Sequence, residues 1–350
     1  MFRTYANNSQ NSYSQVGAIH ELLLHRVILR KSYIFIFSEF AEIGIVACNV
    51  VDNNTLTMSQ YRFKHSFSAE PSISDKLFDL MEVTFPGLSS LAECARKLGA
   101  SWETASTPFI RFHDDIAITH VGVLEIPMQI MGQRLTVGGI HGVATRAEFR
   151  RRGYYREVME EVLGYCDRDR IYETLVLTTP QPEFYLPFGF RVIEEHIFKV
   201  KCNSTGSTDS FRTLDFTNTK DYTLLHRLLE TRAPVSNIVG VVNEKPVFCV
   251  NEGSRTLYYA EDLDLIACME IEDTRLHLFD LVTTQICSLK NILSKIPQPI
   301  EEVVIYFSPE LIDVRDVQTF THTFDETVLM VRGKFAAEGE KFMLPRSARC

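Results

Sequence analysis

One stretch constrains the fold of this 350-residue chain more than any other: a glycine-rich strand, an arginine cluster and an amphipathic helix in direct succession. The strand reads Val137-Gly-Gly-Ile-His-Gly-Val-Ala-Thr145, and Arg150-Arg-Arg-Gly-Tyr-Tyr155 opens the helix. Tyr154, Val158 and Val162 share one stripe of that helix, so we expect one of its faces to pack against a sheet. A strand that enters a helix through a glycine-containing turn predicts an α/β unit.

The turn before this helix is suited to binding an anion. The first N–H groups of a helix have no acceptor within the helix and point toward one place. Three arginines at this end oppose the helix macrodipole, at a cost of about 0.3–1 kcal/mol each when exposed. Because guanidinium groups pair well with phosphate oxygens, a bound phosphate would offset that cost. We interpret Arg150, Arg151 and Arg152 as a phosphate site, and a solvated basic cluster is the alternative.

Hydrophobic periodicity predicts mixed α/β elements on both sides of this stretch. Before it we expect a strand at 61–67, helices from about 72 and over 88–99, a strand at 109–113, and a hairpin of 117–131 with 135–145. The helix at 152–168 is followed by a strand at 175–178, a short helix near 182–187 and a strand at 191–201. Further on we expect a helix at 219–231, strands near 247–250, 256–260, 265–271 and 275–282, a helix at 284–295, a strand at 302–307, a helical piece near 309–316 and a strand at 326–332.

The length of the chain predicts two domains, because one hydrophobic core rarely fills so many residues. We expect a first domain at 58–202 and a second at 211–350, joined by the polar, glycine-containing linker 203–210. Residues 1–57 are then an N-terminal extension, with Met58 as the start of the protein or the edge of its ordered part.

The extension contains an apolar run, Tyr33 to Val51, but Glu39 and Glu42 interrupt it. A membrane span needs about 20 apolar residues with few charges. The run also begins too late for a signal peptide. The formal charge of −9 gives the chain no general attraction to nucleic acid or anionic lipid. Eight scattered cysteines without metal-ligand spacing indicate reduced thiols, hence a cytoplasmic protein without a zinc site.

Two motifs together resemble a known family. The strand end Val143-Ala-Thr145 followed by Arg150-Arg-Arg-Gly-Tyr-Tyr155 resembles the acetyl-CoA pyrophosphate loop of GNAT N-acetyltransferases, Gln/Arg-x-x-Gly-x-Gly/Ala. Tyr155 replaces the last small residue of that pattern, as in the Eis-like branch, where two bulky residues follow Arg-Arg-Arg-Gly. Phe184-Tyr-Leu-Pro-Phe-Gly-Phe190 is similar to the family's Tyr-x-x-Phe-Gly-Phe segment. The resemblance implies an α/β fold with mixed sheets, in which an N-terminal GNAT fold precedes a degenerate GNAT-like domain.

The same resemblance implies acetyl-CoA as co-substrate and no metal. Backbone amides at 143–145 would face the pantetheine arm, those at 151–156 would hold the pyrophosphate, and Gly153 would allow close approach. The cofactor-binding residues that follow are Val143, Ala144, Thr145, Arg150, Arg151, Arg152, Gly153, Tyr154, Tyr155, Arg156, Thr179, Pro180 and Gln181.

By resemblance, Tyr185 is the general acid that reprotonates the CoA thiolate; the alternative is an aromatic packed under the turn Phe188-Gly-Phe190. The base is open, because Gly139 stands where many family members carry a glutamate. His141 lies on the same strand face, and Glu125 is a further candidate. In the Eis-like branch the C-terminal carboxylate reaches the active site, which makes the Cys350 carboxylate a candidate, with a frayed tail as the alternative.

The sequence therefore predicts an N-acetyltransferase acting on a primary amine, small molecule or peptide, by direct attack on acetyl-CoA. The second half would line the acceptor pocket, and its acidic residues suit a cationic amine or form a solvated face. These residues are Asp262, Asp264, Glu270, Glu272 and Asp273. A non-catalytic acyl-CoA sensor or scaffold is the alternative function, and an acyl chain longer than acetyl is a third. Self-association is expected from the resemblance alone.

Overall fold

Two mixed β-sheets with helices on their faces make up the protein, which confirms the predicted fold class. The computed structural model describes residues 60–62, 71–168, 172–205 and 210–350. The strand expected at 61–67 is described only through Arg62, and the N-terminal extension with its Met58 hypothesis lies outside the described residues.

The strands are β1 Gln60–Arg62, β2 Ser106–His113, β3 Ile116–Ile130, β4 Gln133–Thr145, β5 Thr174–Thr179, β6 Arg191–Ile193, β7 His196–Ser204, β8 Arg212–Thr213, β9 Val239–Val241, β10 Tyr258–Ala260, β11 Leu265–Glu272, β12 Arg275–Thr283, β13 Ile300–Ile305, β14 Gln318–Thr321 and β15 Val328–Gly333. The helices are α1 Pro71–Thr84, α2 Leu88–Lys97, α3 Tyr154–Arg168, α4 Thr219–Thr231, α5 Pro246–Glu252 and α6 Leu289–Leu293. Most of the predicted elements are therefore confirmed, several of them to within two residues.

The first sheet has the strand order β1-β2-β3-β4-β5-β15-β6, and β9 pairs with the far end of β3. Its longest hairpin, β3 with β4, turns through Met131 and Gly132, whose φ angles of 49° and 76° match the twist of the strands. Strands β4 and β5 run parallel but pair only at Gly138 with Leu175 and at Gly139 with Val176. Both strands continue beyond these pairs, so their facing edges diverge and leave a gap.

The second sheet has the order β14-β7-β13-β12-β11-β10-β8. It therefore includes β7, most of which belongs to the predicted first domain, 58–202. In return β15, from the second half, lies between β5 and β6 of the first sheet. The single strand predicted at 191–201 is therefore wrong: it is split at Glu195, which is buried, into strands of different sheets. The division at 203–210 stays a prediction, and residues 206–209 of it are not described.

Three other predicted elements differ from the structure. The expected strand near 247–250 is helix α5, because Pro246 occupies a first-turn position and the Glu244 carboxylate accepts hydrogen bonds from the N–H groups of Val247 and Phe248, at 2.7 and 3.0 Å. The helix expected at 284–295 is only the five-residue α6, and 309–316 forms turns. Strands β8, β9 and β14 were not predicted.

The two faces of the first sheet carry different partners. Helix α3 buries five apolar side chains against one face: Val158, Met159, Val162, Leu163 and Cys166. Residues 342–350, here called the C-terminal segment, lie between the two sheets. Phe342, Leu344 and Ala348 pack with the first sheet, whereas Met343 packs with residues of the second half.

We predict that Gly333→Ala destabilises the fold strongly, because it ends the exchanged strand β15. Its φ is +84°, and a Cβ atom there would lie 2.2 Å from the backbone oxygen of Glu173. Gly339→Ala is the matched control, since its φ is +89° but a Cβ there meets nothing within 4 Å. We expect the control to lose about 1–2 kcal/mol and Gly333→Ala clearly more, measured by urea unfolding. Equal losses would contradict the described packing of β15.

Candidate active site

The end of the sequence lies in the gap between β4 and β5. The backbone N–H and the hydroxyl of Thr178 on β5 both donate to an oxygen of Cys350, at 2.8 and 2.6 Å. On β4, a Cβ atom at Gly139 would lie 2.9 Å from the Cys350 sulfur. Gly139, which stands in place of a strand glutamate, therefore makes room for Cys350. No sequence pattern marks Thr178 as its partner.

Tyr185 lies at the junction of two short 3₁₀ turns that follow β5, Pro182–Phe184 and Leu186–Phe188. Its side chain is buried, and its ring packs edge-on against Tyr155 and Phe190. Burial raises the pKa of Tyr185 to about 12, against a hydrogen bond from Thr179, and Cys350 adds to the rise electrostatically. The phenol is therefore protonated at neutral pH, and it lies near the Cys350 thiol, whose pKa burial also raises to about 12.

The loop before α3 presents its backbone N–H groups outward. Among the described residues, the N–H groups of 151–156 donate to no protein acceptor, and the first closing bond runs from Glu157 N–H to the Gly153 oxygen. Arg151 and Gly153 have φ angles of 62° and 93°, and such alternation turns successive N–H groups toward a common point. This arrangement forms an anion cradle at the start of a helix.

The arginines of this loop are exposed and, within the described ranges, form no ion pair: Arg150, Arg151, Arg152 and Arg156. Three of them are oriented by a single contact. Arg150 donates to the Thr145 oxygen at 3.0 Å, Arg152 lies over the Phe149 ring, and Arg156 lies over the Phe188 ring. Their charge is therefore available to an anion in the cradle.

Tyr155, which departs from the usual small residue, connects the loop to the segment that carries Tyr185. Its hydroxyl donates to the Phe184 oxygen at 3.0 Å, and its ring packs edge-on against Phe188 at 5.6 Å. The neighbouring Tyr154 packs against Phe149 on the side of the turn. A bulky residue at 155 thus has a structural reason, because it fixes the loop relative to Tyr185.

The amides at 143–145 do not all face the gap. Arg146 N–H donates to the Ile118 oxygen, and N–H groups alternate in direction along an antiparallel ladder. The amide of Thr145 therefore points away from β3, whereas that of Ala144 points into the ladder with β3. A bulge opposite Val121 interrupts the alternation at Gly142 and Val143. Contacts of Val143, Ala144 and Thr145 with a pantetheine arm stay a prediction.

The turn after β5 brings Thr179, Pro180 and Gln181 beside the gap. The Thr179 hydroxyl accepts a hydrogen bond from Gln181 N–H at 3.1 Å, and the same side chain hydrogen-bonds Tyr185. Thr179 is buried and Pro180 is exposed. Thr179 therefore supports the position of Tyr185, and contacts of all three residues with acetyl-CoA stay a prediction.

His141 lies on the same face of β4 as Gly139, as predicted. Its Nε2 atom is 2.7 Å from the Ser106 hydroxyl, and its ring packs edge-on against Trp102 at 5.2 Å. Burial and the nearby His120 lower the pKa of His141 well below its usual value. The imidazole is therefore neutral but a weak base, and it is already hydrogen-bonded.

Glu125 lies on the other face of the sheet. Tyr172 donates to its carboxylate at 3.1 Å, and Tyr172 faces Gly138, the neighbour of Gly139. Adjacent strand residues point to opposite faces, so Glu125 is separated from Cys350 by the sheet. Of the candidate bases, Cys350 is the one that lies between Thr178 and Gly139 at the gap, and its role as the base stays a prediction.

Most of the acidic residues of the second half are already paired with cations. Asp262 contacts Lys295, Asp264 contacts Arg227, and Glu270 contacts both Arg255 and Arg346. Glu272 and Asp273 are exposed, and the lining of an acceptor pocket by these acidic residues stays a prediction. Within the described residues, no cluster of His, Cys, Asp or Glu is arranged to hold a metal, and no helix is both long and apolar enough to cross a membrane.

Comparison with known proteins agrees with this geometry. Residues 69–193 match the family model described as Acetyltransferase (GNAT) domain. Two solved structures share the fold, each with a TM-score of 0.51. One is a conserved protein of Enterococcus faecalis V583, a probable N-acyltransferase, which is 13% identical over 79% of this chain and 72% of its own. The other is Eis1 from Mycobacterium abscessus, 14% identical over 79% and 73%. No curated protein matches the sequence.

We predict that His120, beside His141, makes stability depend on pH. Burial lowers the pKa of His120 to about 4, whereas it is 6.5 in the unfolded chain. As pH falls the unfolded state binds the proton first, so the stabilisation is complete above pH 6.5 and is lost between 6.5 and 4.

His120→Asn removes the titrating ring but keeps a donor for the Gly142 oxygen, which His120 Nδ1 contacts at 2.6 Å. Between pH 7 and pH 5 the wild type should lose about 2 kcal/mol more unfolding free energy than this variant, measured by urea unfolding. Identical pH dependences would contradict a buried, neutral His120.

Proposed function

We propose that the protein is an acetyl-CoA-dependent N-acetyltransferase that transfers an acetyl group to a primary amine. The observation that supports this most is the position of Cys350, whose oxygen accepts two hydrogen bonds from Thr178 at the β4–β5 gap beside Gly139. The anion cradle at 151–156 lies at the start of the helix that follows β4. In this proposal the proton donor Tyr185, the proton acceptor Cys350 and the phosphate site at 151–156 all lie around the gap between β4 and β5.

We propose one orientation for acetyl-CoA at the gap between β4 and β5. Its pyrophosphate would lie on the free N–H groups of 151–156, with the exposed arginines neutralising its charge. Its pantetheine arm would enter the gap and bond the amides of Val143 and Thr145, as an added strand bonds a sheet edge. This orientation brings the thioester toward Tyr185 and Cys350.

The reaction needs a proton acceptor and a proton donor. When the neutral amine attacks the thioester carbonyl, a C–N bond forms, and the Cys350 carboxylate accepts the proton that the nitrogen loses. Backbone N–H groups at the gap stabilise the oxyanion. As the C–S bond breaks, Tyr185 donates its proton to the thiolate, which gives the amide and CoA.

The acceptor is a small-molecule or peptide amine that approaches from the side of the second half. The seven described cysteines form no disulfide, which suits a reducing, cytoplasmic setting. Transfer of acyl chains longer than acetyl can be tested by measuring the release of the CoA thiol from longer acyl-CoA substrates.

We predict that the full chain binds acetyl-CoA in calorimetry and that Gly153→Asp abolishes binding. A Cβ at Gly153 meets nothing within 4 Å, so the aspartate adds a negative charge at the cradle without a clash. Gly153→Ala is the control, because it imposes the same strain at φ +93° without the charge. Binding that survives in Gly153→Asp, or no binding by the wild type, would contradict the cofactor site.

We also predict that Tyr185→Phe lowers kcat about 100-fold and changes the acetyl-CoA Kd by less than twofold, because only the proton donor is lost. Tyr172→Phe is the control, since it removes a buried phenol on the α3 side of the sheet and should leave kcat unchanged. Thiol release with a panel of amines measures the rates. Acetyl-CoA binding without transfer to any amine would favour the sensor function instead.

A further inference from the structure

We propose that Arg349 and Arg346 are positioning residues, which hold the C-terminal segment so that the Cys350 carboxylate stays in the gap. The inference rests on the proposed function, in which that carboxylate is the base. It also assigns a task to the second half of the chain, which lacks an arginine-rich cradle.

The first clamp joins Arg349 to Glu195. Two parallel hydrogen bonds of 2.9 and 2.8 Å link the guanidinium to the carboxylate, and both side chains are more than nine-tenths buried. Glu195 also accepts a hydrogen bond from Leu344 N–H at 2.8 Å. Since Glu195 lies between β6 and β7, this clamp ties the residue next to Cys350 to the point where the chain crosses between sheets.

The second clamp joins Arg346 to two residues of the second half. Its guanidinium donates twice to Glu252, at 2.8 Å each, and once to Glu270, at 2.9 Å. It also lies 3.7 Å from the centre of the Phe279 ring. Each of the three guanidinium nitrogens thereby donates one hydrogen bond, which fixes the orientation of the group as well as its position.

Hydrogen bonds to the backbone complete the arrangement. The Asn251 side-chain amide donates to the oxygens of Arg346, Ser347 and Arg349, at 3.2, 3.3 and 2.9 Å. The Ser347 hydroxyl donates to Asp280, which Arg232 contacts in a fully buried ion pair. The segment is therefore held on three sides before it reaches Thr178.

Such a network is not the simplest way to stabilise a fold. A buried ion pair adds little net stability over an apolar pair of the same volume, because both charges lose their hydration. It does fix geometry, and a displacement of about 1 Å in a reacting group can cost 100-fold in rate. With Thr178 on one side and Arg349 on the other, Cys350 has two fixed neighbours. We therefore infer that the clamps serve the position of the carboxylate.

The test compares full-length Arg349→Gln and Glu195→Gln with the wild type. We expect each variant to lose 10- to 100-fold in kcat while the acetyl-CoA Kd changes less than twofold. The double variant should be no slower than either single one, because both break the same clamp. Added formate should restore part of the rate in these variants and leave the wild type unchanged.

Arg191→Gln is the matched control, since Arg191 and Glu338 form a similar bidentate pair outside the segment. It should retain the wild-type kcat. A second readout does not need turnover: alkylation of the Cys350 thiol, followed by peptide mass spectrometry. We expect it to be at least tenfold faster in the clamp variants and unchanged in Arg191→Gln.

The outcomes separate the two claims. No transfer by the wild type to any amine would overturn the proposed function. If the wild type transfers acetyl groups but kcat is unchanged in Arg349→Gln and in Glu195→Gln, the positioning inference alone is overturned. Unchanged alkylation of Cys350 in these two variants would overturn it as well. If an orphaned buried charge prevents folding, the double variant Arg349→Met with Glu195→Leu removes both charges, and the same loss of kcat is expected from it.

Discussion

Strands β4 and β5 stop pairing after Gly139 and Val176, and the rest of the site depends on the edges that this divergence exposes. Backbone groups within a protein must find partners, so an unpaired strand edge either binds another segment or a ligand. On β5 the chain itself supplies the partner, through Cys350 at Thr178. On β4 the amide of Thr145 points away from β3, and under the proposed function it would bond the pantetheine arm of acetyl-CoA.

The second half of the chain supports this edge from the other side. The exchange of β7 and β15 joins the sheets, so the two halves cannot move apart without breaking strand pairs. In the second sheet, β12 and β13 also run parallel, for four residue pairs, and the C-terminal segment packs against β12 beyond them. The C-terminal segment thus contacts both parallel strand pairs, through Thr178 on β5 and Asp280 on β12.

The predictable parts of this structure are local in sequence. The β3–β4 hairpin and helix α3 follow from periodicity and turn residues, within about 55 residues. The resemblance to GNAT motifs indicated the loop before α3 and Tyr185, and their roles stay predictions. Helix α5 was mistaken for a strand because a short apolar run carries no period, and the cap by Glu244 comes from a side chain outside the run.

The strand exchange and the clamps were not predictable, because they join residues far apart in the sequence. Arg349 and Glu195 are 154 positions apart, and Cys350 and Thr178 are 172 apart. A sequence shows that Arg346 and Arg349 are charged, but not that they are buried, and no period or spacing marks their partners. The resemblance to Eis-like proteins pointed to the Cys350 carboxylate, and the structure adds the residues that hold it.

The central claim is that the Cys350 carboxylate acts as the base in the β4–β5 gap, and changing that group alone tests it most directly. Protein semisynthesis can replace the carboxylate by a carboxamide, which removes the negative charge and keeps every side chain. If the carboxylate is the base, we expect the amidated protein to bind acetyl-CoA with unchanged affinity and to transfer the acetyl group about 100-fold more slowly, the contribution expected of a positioned base. If the amidated protein has the kcat of the native carboxylate form, the Cys350 carboxylate is not the base.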